Sequence, residues 1–109
     1  MSICVDAASL VLDHAPLPGE LVAAGAPTTG QRDLAALSDL TIGVWEHTPG
    51  ISRDVETDEV FVVLSGDASV AFDDGTPTIE LRPGSLVRLS AGQRTTWTVR
   101  DTLRKIFIA

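Results

Sequence analysis

The chain has 109 residues, of which 44% are hydrophobic and 21% are charged, a balance typical of one globular domain. Eight basic residues against fifteen acidic ones give a net charge of −7, which disfavours nucleic-acid binding because that binding depends on neutralising phosphates. The single cysteine, Cys4, excludes an intrachain disulfide and the zinc folds that need several cysteines.

Residues 1–40 are predicted to form an N-terminal arm with short strands, because proline and glycine interrupt any longer element. Within this arm, residues 32–40 are a candidate short helix on the spacing of Leu34 and Leu37. The first residues lack the basic start and long apolar stretch of a signal peptide. The longest apolar run, residues 60–64, is far shorter than a membrane span. We therefore expect a cytoplasmic protein with no membrane partner.

Residues 41–109 are predicted to form an all-β barrel within the same single domain, 1–109. Turn signals recur at Pro49-Gly50, Ser65-Gly66, Asp73-Asp74-Gly75, Pro83-Gly84, Ala91-Gly92 and Arg100-Asp101. The short runs between them are rich in β-branched and aromatic residues, and strands spaced in this way are typical of a sandwich or barrel. The predicted strands are residues 41–47, 59–65, 67–72, 78–82, 85–89, 95–99 and 103–108.

The segment 59–65 is informative because both of its faces are apolar. Glu59, Phe61 and Val63 share one face, and residues 60, 62 and 64 share the other. We expect the first face to line the barrel and the second to be covered by the arm or by a second subunit. Glu59 is the one charged residue of the inward set.

The motifs in this part of the chain resemble those of cupins. They are Gly43 to Gly50 (GVWEHTPG), Glu59 to Gly66 (EVFVVLSG), Pro83-Gly84, Ser90-Ala91-Gly92, Thr96-Trp97 and Arg104-Lys105-Ile106-Phe107. In order and spacing they are similar to single-domain (S)-ureidoglycine aminohydrolase-like cupins, and also to ethanolamine-utilisation cupins. The resemblance implies a conserved β-barrel, the double-stranded β-helix or jelly roll of RmlC-like cupins, and a homodimer.

The sequence departs from a metal-binding cupin at the positions of the histidine ligands. Such cupins place two histidines before the motif glutamate and a third in the second motif, which here falls on Thr95. The chain has only His14 and His47, so three histidines cannot converge in one subunit. Transition metals in this fold are held by imidazole and one carboxylate. We therefore expect no metal and no other cofactor, although an all-oxygen site from Asp54, Glu56 and Glu59 is conceivable.

Glu59 is the candidate catalytic residue, because a desolvated carboxylate can act as a general acid or base. The alternative is a structural glutamate paired with a nearby cation. The candidate ligand-binding residues are Glu59, Thr95, Trp97, Arg53, Arg94 and Lys105. Trp97 offers a flat wall, and the basic residues are able to hold a carboxylate or ureido group.

The remaining reactive residues give weaker signals. The acidic run from Asp54 to Glu59 is predicted to be a solvated loop. His47 is either a proton shuttle or a surface residue near a turn. Cys4, Ser65 and Ser90 lack the neighbours that nucleophilic catalysis requires.

Three functions remain open at this point. The first is metal-independent binding of a small polar metabolite in the barrel pocket. The second is an enzyme, either a hydrolase or lyase acting on a small nitrogen-containing metabolite or an isomerase using Glu59. The third is a structural dimeric barrel whose pocket is filled by Trp97, Arg94 and Lys105. An unfilled pocket distinguishes the first two from the third.

Overall fold

The computed structural model describes residues 2–109, which form a nine-stranded antiparallel sheet curled on itself. A single 3₁₀ turn, Gly19–Leu21, lies in the N-terminal region. The strands are β1 (His14–Pro16), β2 (Val22–Ala24), β3 (Thr28–Leu37), β4 (Leu40–His47), β5 (Gly50–Val55), β6 (Glu59–Phe72), β7 (Ile79–Leu81), β8 (Leu86–Leu89) and β9 (Arg94–Ile108). This is the cupin jelly roll, and the all-β prediction is confirmed. No helix among residues 2–109 is long and apolar enough to cross a membrane.

The two longest strands, β6 and β9, hold the barrel together. They pair with each other along most of their length. The first half of β9 also pairs with β5, and its second half pairs with β4. β9 therefore lies between two neighbours at both ends, which places its inward side chains at the centre of the barrel.

The turns predicted at Ser65-Gly66 and Arg100-Asp101 do not end strands. The first lies within β6 and the second within β9, so both predicted strand boundaries are wrong. The register between the strands shifts at Val63, Ser65 and Asp67, so the chain bends there without ending the strand. Gly66 adopts φ of +106° at this bend, and a Cβ built on it would lie 2.7 Å from Leu103 Cα. A residue without a side chain is therefore required at this bend.

The predicted helix at residues 32–40 is also wrong, because these residues continue β3 and its hairpin into β4. The register shift between Asp33 and Ala35 interrupts the strand alternation, which explains why the local pattern does not indicate a strand. The hairpin turns at Ser38, which has φ of +57°. The arm contains the short strands β1 and β2, but it also contains the ten-residue β3, which pairs with β4, so the expectation that proline and glycine interrupt any longer element is wrong.

The core contains the inward side chains of β6 and β9 together with one leucine from each of β7 and β8. Phe61 and Val63 are buried as predicted, and Trp97, Val99 and Phe107 meet them from β9. On the opposite face of the same strands, Val60 and Val62 are only half-buried within the chain. Both faces of the segment 59–65 were predicted to be covered. Within one chain, only its inner face is fully covered.

Gly66→Ala is expected to destabilise the fold by about 1–3 kcal/mol, because alanine at this φ is strained and its methyl group meets the β9 backbone. Gly75→Ala is the matched control, since Gly75 has φ of +87° but nothing lies within 4 Å of the added Cβ. Urea denaturation of both variants measures the difference. If both variants lost the same free energy of unfolding, the contact between the added methyl group at residue 66 and the β9 backbone would have no energetic cost.

Candidate functional site

A cavity of about 400 Å³ opens between β3, β4, β5, β6 and β9. Its wall combines aromatic rings with charged and hydrogen-bonding groups. The lining residues are Leu17, Leu21, Thr29, Gln31, Trp45, His47, Ser52, Arg53, Asp54, Val55, Glu56, Thr57, Glu59, Trp97, Lys105, Phe107 and Ala109. This volume is within the range of small-molecule sites.

Lys105 projects from β9 into the barrel and is buried, with 6% of its side chain exposed. Its Nζ donates a hydrogen bond of 2.7 Å to Glu59 Oε2. The ammonium lies 4.4 Å from the Trp45 ring centroid, 4.3 Å from that of Phe61 and 4.9 Å from that of Trp97. Three π-faces and one carboxylate therefore replace the water that this cation loses on burial. We call Lys105, Glu59 and these three rings the caged ion pair.

Glu56 forms a second buried polar group next to the cage. Its Oε2 accepts hydrogen bonds from Thr95 Oγ1 at 2.6 Å and from Trp97 Nε1 at 3.1 Å. Burial nevertheless raises the pKa of the Glu56 carboxyl group above its ordinary value, and the nearby Asp54 carboxylate raises it further. The hydrogen bond from Trp97 Nε1 to Glu56 Oε2 also holds the Trp97 ring in the orientation in which its face meets Lys105.

His47 and Ser52 form a third group on the cavity wall. His47 is 1% exposed, and its Nδ1–H donates to the Thr48 carbonyl oxygen at 2.6 Å. Ser52 Oγ lies 2.8 Å from His47 Nε2. Burial is the main cause that lowers the pKa of His47, and the charge of Lys105 lowers it further. His47 is thus an inward-facing residue, and its interpretation as a surface residue near a turn is wrong.

Four of the six predicted ligand-binding residues line this cavity: Glu59, Trp97, Arg53 and Lys105. Thr95 is buried behind Glu56 and reaches the cavity only through that carboxylate. Arg94 lines a different concavity beside Phe72 and Ala71. The structure thus brings the first four together, and Arg53 also lines the second concavity, as do Arg94 and Thr95.

The prediction of a solvated loop before Glu59 is correct for Thr57 and Asp58, which are exposed and lie outside the strands, and wrong for Glu56. Residues up to Val55 form β5, and Glu56 is buried after it. Sequence reasoning therefore missed Ser52 as a site residue, and it considered Glu56 only as a conceivable oxygen ligand of a metal ion. Alternation within β5 was the available signal, since Ser52 pairs with Trp97 and shares its inward face.

Transition-metal ligands are not assembled in the part of the chain that the structure describes. Among residues 2–109 no group of three or more His, Cys, Asp or Glu side chains is placed to hold a metal ion. The position beside the Glu59 carboxylate is taken by the Lys105 ammonium. Thr95, which stands where metal-binding cupins have their third histidine ligand, donates a hydrogen bond to Glu56.

The curled sheet with its cavity defines the cupin class of barrel. A family model described as EutQ-like cupin domain matches residues 34–107. The chain therefore belongs to the EutQ-like cupin family. No curated protein matches the chain.

Solved structures share this fold at low sequence identity. A protein of unknown function from Pseudomonas syringae pv. tomato has a TM-score of 0.77 at 21% identity, covering 93% of this chain and 45% of that chain. EutQ from Clostridium difficile has a TM-score of 0.64 at 21% identity, covering 75% and 67%. Ectoine synthase from P. lautus has a TM-score of 0.64 at 15% identity, covering 73% and 62%. The present chain thus spans less than half the length of the Pseudomonas protein.

The pKa of Glu56 has a consequence for stability against pH. Because its folded pKa lies above the unfolded value of 4.5, the folded state retains a proton that the unfolded state has lost. This contribution to the free energy of unfolding is present below pH 4.5 and falls as pH rises through the folded pKa. Glu56→Gln keeps an acceptor oxygen for Thr95 and Trp97 and removes the titration.

We therefore expect Glu56→Gln to gain stability relative to the wild type as the pH rises above about 4.5. Urea denaturation at several pH values measures this difference. Thr78→Ser, at an exposed residue without a titratable group, is the control, and its curve should run parallel to that of the wild type. A parallel curve for Glu56→Gln would contradict the raised pKa.

Proposed function

We propose that this cupin binds a small polar metabolite in its cavity without a metal ion. The observation that carries the proposal is the caged ion pair on the cavity wall. Both partners are nearly buried, with 6% of the Lys105 side chain and 14% of the Glu59 side chain exposed. Two oriented charges in a site of low dielectric constant are able to recognise a ligand strongly.

The hydrogen-bonding capacity of the pair indicates the chemical class of the ligand. An ammonium has three donor hydrogens and a carboxylate has two acceptor oxygens. Their mutual bond uses one hydrogen and one oxygen, which leaves donors and acceptors side by side. The complementary group is one that carries an acceptor next to a donor, such as a carboxamide or a ureido group.

The charges of the lining favour a ligand without a free carboxylate. Asp54, Glu56 and Glu59 face two cations, Arg53 and Lys105. The Lys105 charge is already paired with Glu59. A clamp in which the basic residues hold a carboxylate is therefore less favourable than the sequence alone suggests.

Two observations support binding without a metal. A borderline metal requires imidazole nitrogens beside the carboxylate, and the carboxylate of Glu59 is bonded instead to the Lys105 ammonium. His47, the one cavity-lining histidine, directs both ring nitrogens to Thr48 and Ser52. The donor set around Glu59 does not fit a transition metal.

A purely structural barrel is less well supported, because the cavity retains about 400 Å³ although Trp97 and Lys105 project into it. An enzyme similar to (S)-ureidoglycine aminohydrolase is the second candidate. The observation that favours it is the imidazole of His47 on the cavity wall. We place the protein in the cytoplasm, where the exposed thiol of Cys4 stays reduced.

A panel of amino-acid amides and N-alkylureas is expected to contain ligands that raise the melting temperature of the wild type, while the matching carboxylic acids do not. A ligand at about 100 times its dissociation constant adds roughly 2.7 kcal/mol. The double variant Glu59→Gln/Lys105→Met should fold, because neutralising both partners leaves no unpaired charge. It should lose the ligand-induced shift.

Arg94→Met is the control, because Arg94 lies outside this cavity, and it should respond like the wild type. An unchanged shift in the double variant, or no shift in the wild type, would contradict the proposal. Elemental analysis of protein purified without a histidine tag tests metal independence. One transition-metal ion per chain would overturn it.

We also propose that a second copy of the chain covers the outer face of β4, β6 and β9. Two cross-strand rows on this face are apolar, with Val60, Ile108 and Ile42 in one row and Val62 beside Ile106 in the other. A two-fold axis through such a patch places it against itself, so the contact requires only self-complementarity.

Sedimentation velocity of the wild type at micromolar concentration is expected to give a dimer. Val62→Glu should give a monomer, because it places a carboxylate in each copy of the contact. Leu37→Glu, at an exposed position at the end of β3, is the matched control and should remain dimeric. A monomeric wild type would refute the proposal.

A further inference from the structure

The cavity wall carries a hydroxyl–imidazole pair that the binding proposal does not use. Ser52 Oγ and His47 Nε2 are 2.8 Å apart, and the two residues are 5% and 1% exposed. Both line the cavity. The short turn between β4 and β5 brings them together, since His47 ends one strand and Ser52 lies early in the next.

The hydrogen bond on the far side of the ring determines which nitrogen carries the proton. His47 Nδ1 is 2.6 Å from the Thr48 carbonyl oxygen, and a carbonyl oxygen only accepts. Nδ1 therefore carries the hydrogen, and Nε2 presents its lone pair to Ser52. The serine hydroxyl is the donor in this pair, which is the arrangement of a nucleophile and its base.

The surroundings keep the imidazole in its neutral, basic form. Burial lowers the pKa of His47 below its ordinary value, and the positive charge of Lys105 contributes. The geometry also places the ammonium near the pair, since Lys105 Nζ lies 4.4 Å from the Trp45 ring centroid and the His47 ring centroid lies 5.5 Å from the same centroid. A positive charge near the nucleophile favours the oxyanion that forms during acyl transfer.

A purely structural hydrogen bond would satisfy the same two groups, but it would not require the hydroxyl to line a cavity. Ser52 pairs with Trp97 across β5 and β9, so its side chain lies on the inner face of the sheet beside that ring. A small molecule that enters the cavity would therefore meet the Ser52 side chain on this inner face.

We propose that Ser52 is the nucleophile and His47 the general base of an acyl-transfer site for small esters or thioesters. The Thr48 carbonyl oxygen is the group that orients the imidazole. This inference rests on the proposed function only in requiring that a small molecule enters the cavity. It needs neither the caged ion pair as a ligand site nor a metal.

In the first step Ser52 Oγ forms a bond to the carbonyl carbon, and its proton passes to His47 Nε2. The bond from that carbon to the leaving oxygen or sulfur then breaks, and the leaving group takes the proton from Nε2. In the second step water attacks the acyl-serine and gives one proton to Nε2, which returns it to Ser52 Oγ. The products are the acid and the alcohol or thiol, and His47 ends neutral.

The test is covalent labelling of the wild type with diisopropyl fluorophosphate, followed by intact mass measurement and peptide mapping. We expect one adduct per chain, located on Ser52, and an initial burst with p-nitrophenyl acetate. Ser52→Ala should lose both. His47→Gln should slow labelling by about 10²–10⁴-fold, the range expected for removal of a general base.

Ser90→Ala, at an exposed serine in a turn, is the control and should label at the wild-type rate. Mapping the adduct on the wild type remains decisive even if a His47 variant fails to fold. An unlabelled wild-type protein, or an adduct on any residue other than Ser52, would overturn the inference. The amide-induced thermal shift of Ser52→Ala separates the two proposals, because binding alone would persist in that variant without labelling.

Discussion

The burial of one positive charge is the constraint on which the rest of the site depends. The Lys105 ammonium lies inside the barrel, where an uncompensated ion would cost several kcal/mol. Glu59 neutralises it, and three aromatic rings surround it. These groups come from three strands, so β4, β6 and β9 have to keep their register for the charge to be tolerated.

The same charge also influences the groups around it. Burial lowers the pKa of His47 and the Lys105 charge lowers it further, whereas burial raises the pKa of Glu56 against the opposing effect of the Lys105 charge. A cavity with a caged cation, a protonatable carboxyl group and a neutral imidazole combines recognition with acid–base chemistry. The proposed binding site and the proposed acyl-transfer site lie in one cavity and rest on different pairs of residues, Lys105 with Glu59 and Ser52 with His47.

The local sequence pattern predicted much of the fold, and its failures have physical causes. Alternation and turn residues predicted the all-β class and the inward face of Phe61 and Val63. The helix at residues 32–40 failed because the shift after Asp33 hides the strand period. The strand ends predicted at Gly66 and Asp101 were wrong because the paired strands β6 and β9 bend there and continue. Turn residues occur at bends as well as at strand ends, so their presence does not distinguish the two.

The sequence by itself determined that a three-histidine metal site is absent, because the chain has only two histidines, and it predicted an inward-facing glutamate at position 59. The tertiary structure decided which of these residues meet. Lys105 reaches Glu59 across 46 positions, and Glu56 reaches Trp97 across 41. Strand alternation determines the face on which a side chain lies, whereas its neighbours across the barrel follow from strand order and register, which local patterns do not encode.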